Sequence, residues 1–159
     1  MVKTNAMRLL SQAGIDYKVF EYEVDENNLA GVHVAEQTGL PAEQVFKTLV
    51  AKGEKRGYLV FCIPVAEELD LKKVAQAVKD KKVELVHVKE LLGLTGYIRG
   101  GCSPVGMKKK FPTYFDETAL LFDKIAVSAG VRGAQLYLDT KLLVEYLGAE
   151  YVDLVAFDL

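Results

Sequence analysis

The hydrophobic and polar positions along the chain alternate between two periods. Over residues 4–13, Ala6, Leu9, Leu10 and Ala13 mark one helical side, with Thr4 placed to cap it and Gly14 to end it. The segment YKVFEYEV sets Val19 among polar neighbours and predicts a strand. HVAEQTGLP predicts a short helix closed by Gly39 and Pro41, with a second turn starting at Pro41. VFKTLVAK and GYLVFCIPV then flank a charged turn that ends in Gly57, which is a hairpin pattern. Asp70 caps LKKVAQAVK, where Leu71, Val74, Ala75 and Val78 share a face. A strand at 83–86, a helix at VKELLGL, a polar–apolar strand region at 111–122 and the strands KIAVSAG and QLYLD follow. Asp139 or Thr140 caps the last helix, KLLVEYL, and Gly148 stops it. No linker, repeat or low-complexity segment interrupts the series, so residues 1–159 read as one mixed α/β domain.

Composition agrees with that reading. A chain of 159 residues can bury a sizeable core, about 70% of its unfolded surface. Half of it is hydrophobic and 26% is charged, as in globular proteins. No apolar run approaches the roughly 20 residues that span a bilayer, and the first residues lack the apolar core of a signal peptide. Cys62 and Cys102 are too few for a disulfide framework or a zinc quartet, and a cytoplasmic location is expected. His33 and His87 lack metal-ligand spacing and read as surface or boundary residues; no metal or cofactor is expected. The net charge of −2 hides basic clusters at 52–56, 72–73, 79–82 and 108–110. These are solvated surface unless several share a face, in which case they attract a polyanion.

Three features carry candidate chemistry. On the strand VFKTLVA, Lys47 is the one charge on the face of Val45, Leu49 and Ala51. It is either a lysine snorkelling at a sheet edge or a cation held in a cleft for a phosphate or a developing oxyanion. In the loop YIRGGCSPVGM, Gly100 and Gly101 allow φ > 0 and close backbone approach, and Pro104 keeps Ser103 extended. That loop is either a plain turn or a nest of N–H groups for a ligand oxygen. Cys102 would need a nearby base or positive field to act as a nucleophile, and neither histidine forms a Cys/His constellation with it. Cys62, inside an apolar strand, reads as core.

The ordered set FKTLV (46–50), GGCSPVGMKKK (100–110), SAGVRG (128–133) and LGAEYVDL (147–154) resembles the YbaK/EbsC family. These are free-standing aminoacyl-tRNA deacylases related to the editing domain of bacterial prolyl-tRNA synthetase, and the resemblance covers essentially the whole chain. It implies a compact α/β fold with a curved, largely antiparallel central sheet flanked by helices. It also implies trans-editing of mischarged tRNA, with Cys-tRNA(Pro) the usual substrate and prolyl-tRNA synthetase a potential partner. Other functions open at this point are an Ala- or Ser-tRNA deacylase that uses water, and a non-catalytic module binding aminoacyl-tRNA or a synthetase.

Residue by residue, the resemblance places catalytic roles on Lys47 and on the Gly101 N–H. Substrate binding falls on Tyr22, Thr48, Gly100, Ser103, Ser128 and Arg132. It implies that the substrate's own sulfur attacks the ester carbonyl, releasing the tRNA hydroxyl and leaving a thiolactone, so that Cys102 is incidental. Two positions depart from the family. Leu142 stands where other members carry an aspartate in the first turn of the last helix, with Asp139 three residues earlier. Ala129 replaces a glycine in the SAGVRG loop.

Overall fold

A computed structural model describes residues 3–156. Local signals set most element ends. Helix α1 runs Asn5–Gln12 behind Thr4, whose hydroxyl accepts from the Met7 N–H at 3.2 Å, and it buries Ala6, Met7 and Leu10. Strand β1 is Tyr17–Glu21. Helix α2, Gly31–Thr38, ends at Gly39 in the left-handed region at φ 76°, where a Cβ would be unfavourable. A 3-10 turn at Ala42–Gln44 then leads into β2, Phe46–Gly53, and its hairpin partner β3, Gly57–Pro64.

Asp70 caps α3, Leu71–Ala77, by accepting from the Lys72 and Lys73 N–H groups. Strand β4 (Val83–Leu85) and helix α4 (Val88–Thr95) precede the glycine loop. The predicted strand region at 111–122 divides into β5, Thr113–Asp116, and a 3-10 turn at Glu117–Leu121 capped by the Asp116 carboxylate. The chain continues through β6 (Lys124–Ser128), β7 (Ala134–Asp139), α5 (Thr140–Leu147) and β8 (Glu150–Val152). Of the two candidate caps for α5 it is Asp139 that serves, accepting from the Leu142 N–H at 2.9 Å.

The mixed α/β class is as predicted, and the central sheet takes the form of two. Strands β1, β7 and β6 form an antiparallel sheet in the order β1-β7-β6. The larger sheet runs β4-β2-β3-β5-β8, antiparallel through β4, β2 and β3 and parallel at β5 and β8. Phe46, Val50, Val60 and Phe115 from the large sheet share one core with Ile125, Val127, Leu136 and Leu138 from the small one. Burying each such side chain favours the fold by about 1.5–3 kcal/mol. The sheets also meet backbone to backbone, where Val45 bridges Ala126 in parallel. That junction positions the site. Among the described residues no helix is long and apolar enough to cross a membrane.

Candidate functional site

At the junction, Val45, Ala126 and Tyr137 lie in one row, with Ala126 paired to Tyr137 across β6 and β7. Together with Ala35 and Val65 they make a small apolar cluster. Side chains alternate along strands, so the next positions on that face lie two residues away. They are Lys47 on β2, Ser128 on β6 and Gln135 on β7, and all three line a cleft of about 600 Å³. An apolar row is thus followed by a polar one at the cleft floor. The walls come from Leu29 and α2 on one side, and from Gly100 and Cys102 on another.

Lys47 is half-buried, and among the described residues its ammonium has no hydrogen-bond or ion-pair partner. Its strand is not an edge in the ordinary sense. β2 lies between β4 and β3, but β4 pairs only with its far end, Ala51–Gly53. Beside Lys47 the strand faces the cleft instead of another ladder. Thr48 also borders the cleft, with its hydroxyl turned to the other face and 3.6 Å from the Cys62 sulfur.

The glycine loop begins with a turn over Ile98–Gly101. Gly100 sits at φ 86°, the value that the second central residue of a type II turn requires. The turn is closed by the Gly101 N–H, which donates to the Ile98 carbonyl at 3.0 Å. The expectation of a free Gly101 donor is therefore corrected: its N–H is already engaged within the turn. Its lack of a side chain serves packing, since a Cβ there would lie 3.0 Å from the Val131 carbonyl carbon. The N–H groups of Gly100 and Cys102 have no hydrogen-bond partner among the described residues, and both residues line the cleft.

Arg132 holds this arrangement from below. Its Nε donates to the Arg99 carbonyl at 2.8 Å, in the middle of the turn. Tyr97 adds a second tie: its hydroxyl donates to the Val105 carbonyl, and its ring lies where a Cβ on Gly130 would fall, 2.9 Å from Cε1. The loops 97–106 and 128–133 are thus locked together by Tyr97, Gly101 and Arg132.

Four of the expected site residues do not border the cleft: Gly101, Arg132, Tyr22 and Ser103. Tyr22 lies just past β1 and donates its backbone N–H to the Gly133 carbonyl. Ser103 is fully buried, and its hydroxyl accepts from the Val105 N–H at 3.2 Å, so its role is to hold the loop. Asp139 is spent on capping α5 and is likewise absent from the cleft lining. Ser128 is buried at the cleft floor, with its hydroxyl accepting from the Gly130 N–H.

Cys102 borders the cleft as a neutral thiol. Burial pushes its pKa up to about 12, with a Thr95 hydrogen bond acting in the opposite direction. Among the cleft residues that sequence reasoning missed are His87 and Gln135. His87 caps α4 at the rim, where its N–H donates to the Glu90 carboxylate. Gln135 opens the strand QLYLD and belongs to none of the motifs that stand out in the sequence.

The floor and loop combine a free ammonium, two unpaired N–H groups and the Ser128 hydroxyl. Such a donor set stabilises negative charge on oxygen, whether resident on a phosphate or developing on a carbonyl. It contains no thiolate or paired nucleophile–base couple of the kind that covalent catalysis needs.

Residues 28–146 match the family model described as an aminoacyl-tRNA editing domain. A protein of Enterococcus faecalis with the provisional name Cys-tRNA(Pro)/Cys-tRNA(Cys) deacylase EbsC is 47% identical over 152 residues. That match spans 96% of this chain and 93% of the relative. A crystal structure provisionally described as a trans-editing enzyme for prolyl-tRNA synthetase superposes with a TM-score of 0.84 at 28% identity. It covers 99% of this chain and 100% of the other. A protein from work on epitope backbone grafting superposes with a TM-score of 0.85 at 26% identity over 96% of each chain.

Proposed function

Because the chain belongs to the aminoacyl-tRNA editing domain family, we propose that it is a trans-editing deacylase that clears cysteine esterified to the wrong tRNA. The observation that carries the reading is the polar row at the cleft floor, with an unpaired Lys47 ammonium facing a donor-rich loop. The relative's name covers Cys-tRNA(Pro) and Cys-tRNA(Cys), which supports recognition of the aminoacyl end over the tRNA body.

In this mechanism the substrate sulfur attacks the ester carbonyl. A C–S bond forms, the C–O bond to the ribose breaks, and the thiol proton ends on the released hydroxyl. The product is a cysteine thiolactone, which water opens. Intramolecular attack in a well-aligned conformer removes about 7–11 kcal/mol of barrier, so the protein has two tasks. It must fold the cysteine back on its ester, and it must hold the oxyanion. Lys47 and the free N–H groups of Gly100 and Cys102 serve the second task, where one good donor is worth roughly 3–4 kcal/mol. Gly101 acts beneath them as the turn's backbone latch. Thr48 and Ser128 line the cleft that would take the aminoacyl group, while Arg132 holds the turn from outside it. Tyr22 and Ser103, which lie away from the cleft lining, keep the neighbouring backbone in place.

The reaction belongs in the cytoplasm, where charged tRNA is used, and prolyl-tRNA synthetase is the partner that would supply tRNA selection. A deacylation panel with Cys-, Ala-, Ser- and Pro-tRNA tests the reading. Cleavage of the cysteinyl ester is expected to exceed the others widely. Equal cleavage of the thiol-free esters would replace thiol attack by water attack, and no cleavage of any ester would leave a binding module.

A further inference from the structure

Gln135 is 94% buried at the cleft floor, at 6% exposure, and its side-chain oxygen has no hydrogen-bond partner. Its amide nitrogen also has none among the described residues. Only the oxygen is sealed from water as well as unpaired, and a buried acceptor left so is costly unless a partner completes it. Ser128 stands directly opposite on β6, so the two Cβ atoms are about 5 Å apart. The Ser128 oxygen already accepts from Gly130 and keeps one lone pair and one proton for the amide. A half-turn of the amide exchanges its oxygen and NH2, so the end toward the cleft can accept.

The rest of the floor supplies donors. Lys47 and the unpaired loop N–H groups can meet a carbonyl, an oxyanion or a phosphate, but not another cation. An aminoacyl ester also brings an α-ammonium, which only donates. In the row Lys47–Ser128–Gln135, the glutamine is the acceptor farthest from the lysine, since β7 lies beyond β6 from the lysine's strand. Repulsion between the two cations is weakest there.

We propose that Gln135 binds the α-ammonium of the aminoacyl group and makes the protein selective for esters with a free amino group, sparing N-acylated aminoacyl-tRNA and peptidyl-tRNA. The proposal rests on the deacylase reading above. Gln135 is a specificity-determining residue, and the polar floor is the subsite it reads from.

The test compares Cys-tRNA with N-acetyl-Cys-tRNA, which keeps both thiol and ester. Each rate is divided by the uncatalysed loss of that ester, because the ammonium itself activates its neighbour. For the wild type, kcat/KM should favour the free amine by roughly tenfold to a hundredfold, the worth of one hydrogen bond to a charged group. Gln135→Leu should lose that factor on Cys-tRNA, leave the acetylated ester unchanged and bring the ratio towards one. Gln135→Glu, which keeps an acceptor, should hold or raise the ratio, and it carries the test if the leucine variant does not fold. A folded Gln135→Leu that keeps the wild-type ratio, or a Gln135→Glu that loses it, overturns the assignment. A wild type that cleaves neither ester overturns the deacylase reading itself.

Discussion

Gly101 and Val131 meet backbone to backbone: a Cβ on the glycine would lie 3.0 Å from the Val131 carbonyl carbon and 3.1 Å from the Arg132 nitrogen. Neither atom belongs to a flexible side chain, so Gly101→Ala requires the backbone of the 128–133 loop to give by a few tenths of an ångström. Overpacking of this kind costs about 1–3 kcal/mol. The expected result is a lower urea midpoint together with a large fall in deacylation rate. An alanine variant with wild-type stability and turnover would show that the backbone gives without consequence.

The same junction makes a separate prediction for Arg132. Its Nε donates to the Arg99 carbonyl from a planar group whose fork a lysine cannot reproduce. Arg132→Lys should therefore loosen the turn while keeping the charge. Loss of one hydrogen bond of about 0.5–1.5 kcal/mol is expected in stability. Turnover should fall further than that, because the Gly100 and Cys102 N–H groups are aimed by this turn. If the lysine variant turns over normally, charge and not the clamp is what matters.

These two residues show where the sequence was readable and where it was not. Thr4, Asp70, Gly39 and Gly148 act on backbone within a few residues, so their caps and stops could be read directly. Gly101 acts on a segment 30 positions away, and no local pattern distinguishes a glycine needed for packing from one needed as a donor. Gln135 was hidden for a related reason. Alternation in β7 puts Leu136 and Leu138 in the main core and Gln135 and Tyr137 on the opposite face. That face reads as solvent-exposed until α2 and Val45 are known to cover it. Lys47 was recognisable as a misplaced charge, but only the Val45–Ala126 bridge explains what it faces.

Cys102 separates the loop from its thiol. Burial raises both Cys102 and Cys62 to about 12, so both are protonated at neutral pH. Cys102→Ala should keep most activity, and native protein should react slowly with iodoacetamide near neutral pH. The pH dependence of stability follows from the sign of the shift. Both folded values lie above the ordinary thiol value of 9.0, so the unfolded chain loses these protons first. The stabilising contribution is full below about pH 9 and is lost as pH rises towards 12. Urea midpoints that do not fall across this range would place the thiols nearer to water than the structure does.

Basic residues outside the cleft predict how tRNA is held. Lys82 is paired with Glu84 at 2.9 Å and Lys73 with Asp153 at 3.1 Å, so two of the clusters are partly neutralised. Lys108, Lys109 and Lys110 are exposed and follow the glycine loop directly. Replacing all three by alanine should weaken tRNA binding at low salt and flatten its salt dependence, by roughly 0.7–0.9 in log–log slope for each phosphate no longer neutralised. An unchanged slope would move the tRNA path to another face.

Lys47 carries the sharpest prediction. The residue is half-buried and its ammonium is unpaired among the described residues, so nothing in the fold depends on its charge. Lys47→Ala should leave the urea midpoint within about 0.5 kcal/mol of wild type, as for substitutions that break no named interaction. On the proposed function its role lies in the reaction. Removing a charge-assisted hydrogen bond of about 1.5–3 kcal/mol corresponds to a rate loss of roughly tenfold to more than a hundredfold. That loss should appear in kcat if Lys47 holds the oxyanion, and in KM if it holds a phosphate or ribose oxygen in the ground state. Lys47→Arg should not restore the rate, because the wider planar cation reaches the Ser128–Gln135 end of the row with a different geometry. Single-turnover rates at saturating Cys-tRNA decide between the two roles. A folded alanine variant that turns over like the wild type removes Lys47 from the reaction altogether.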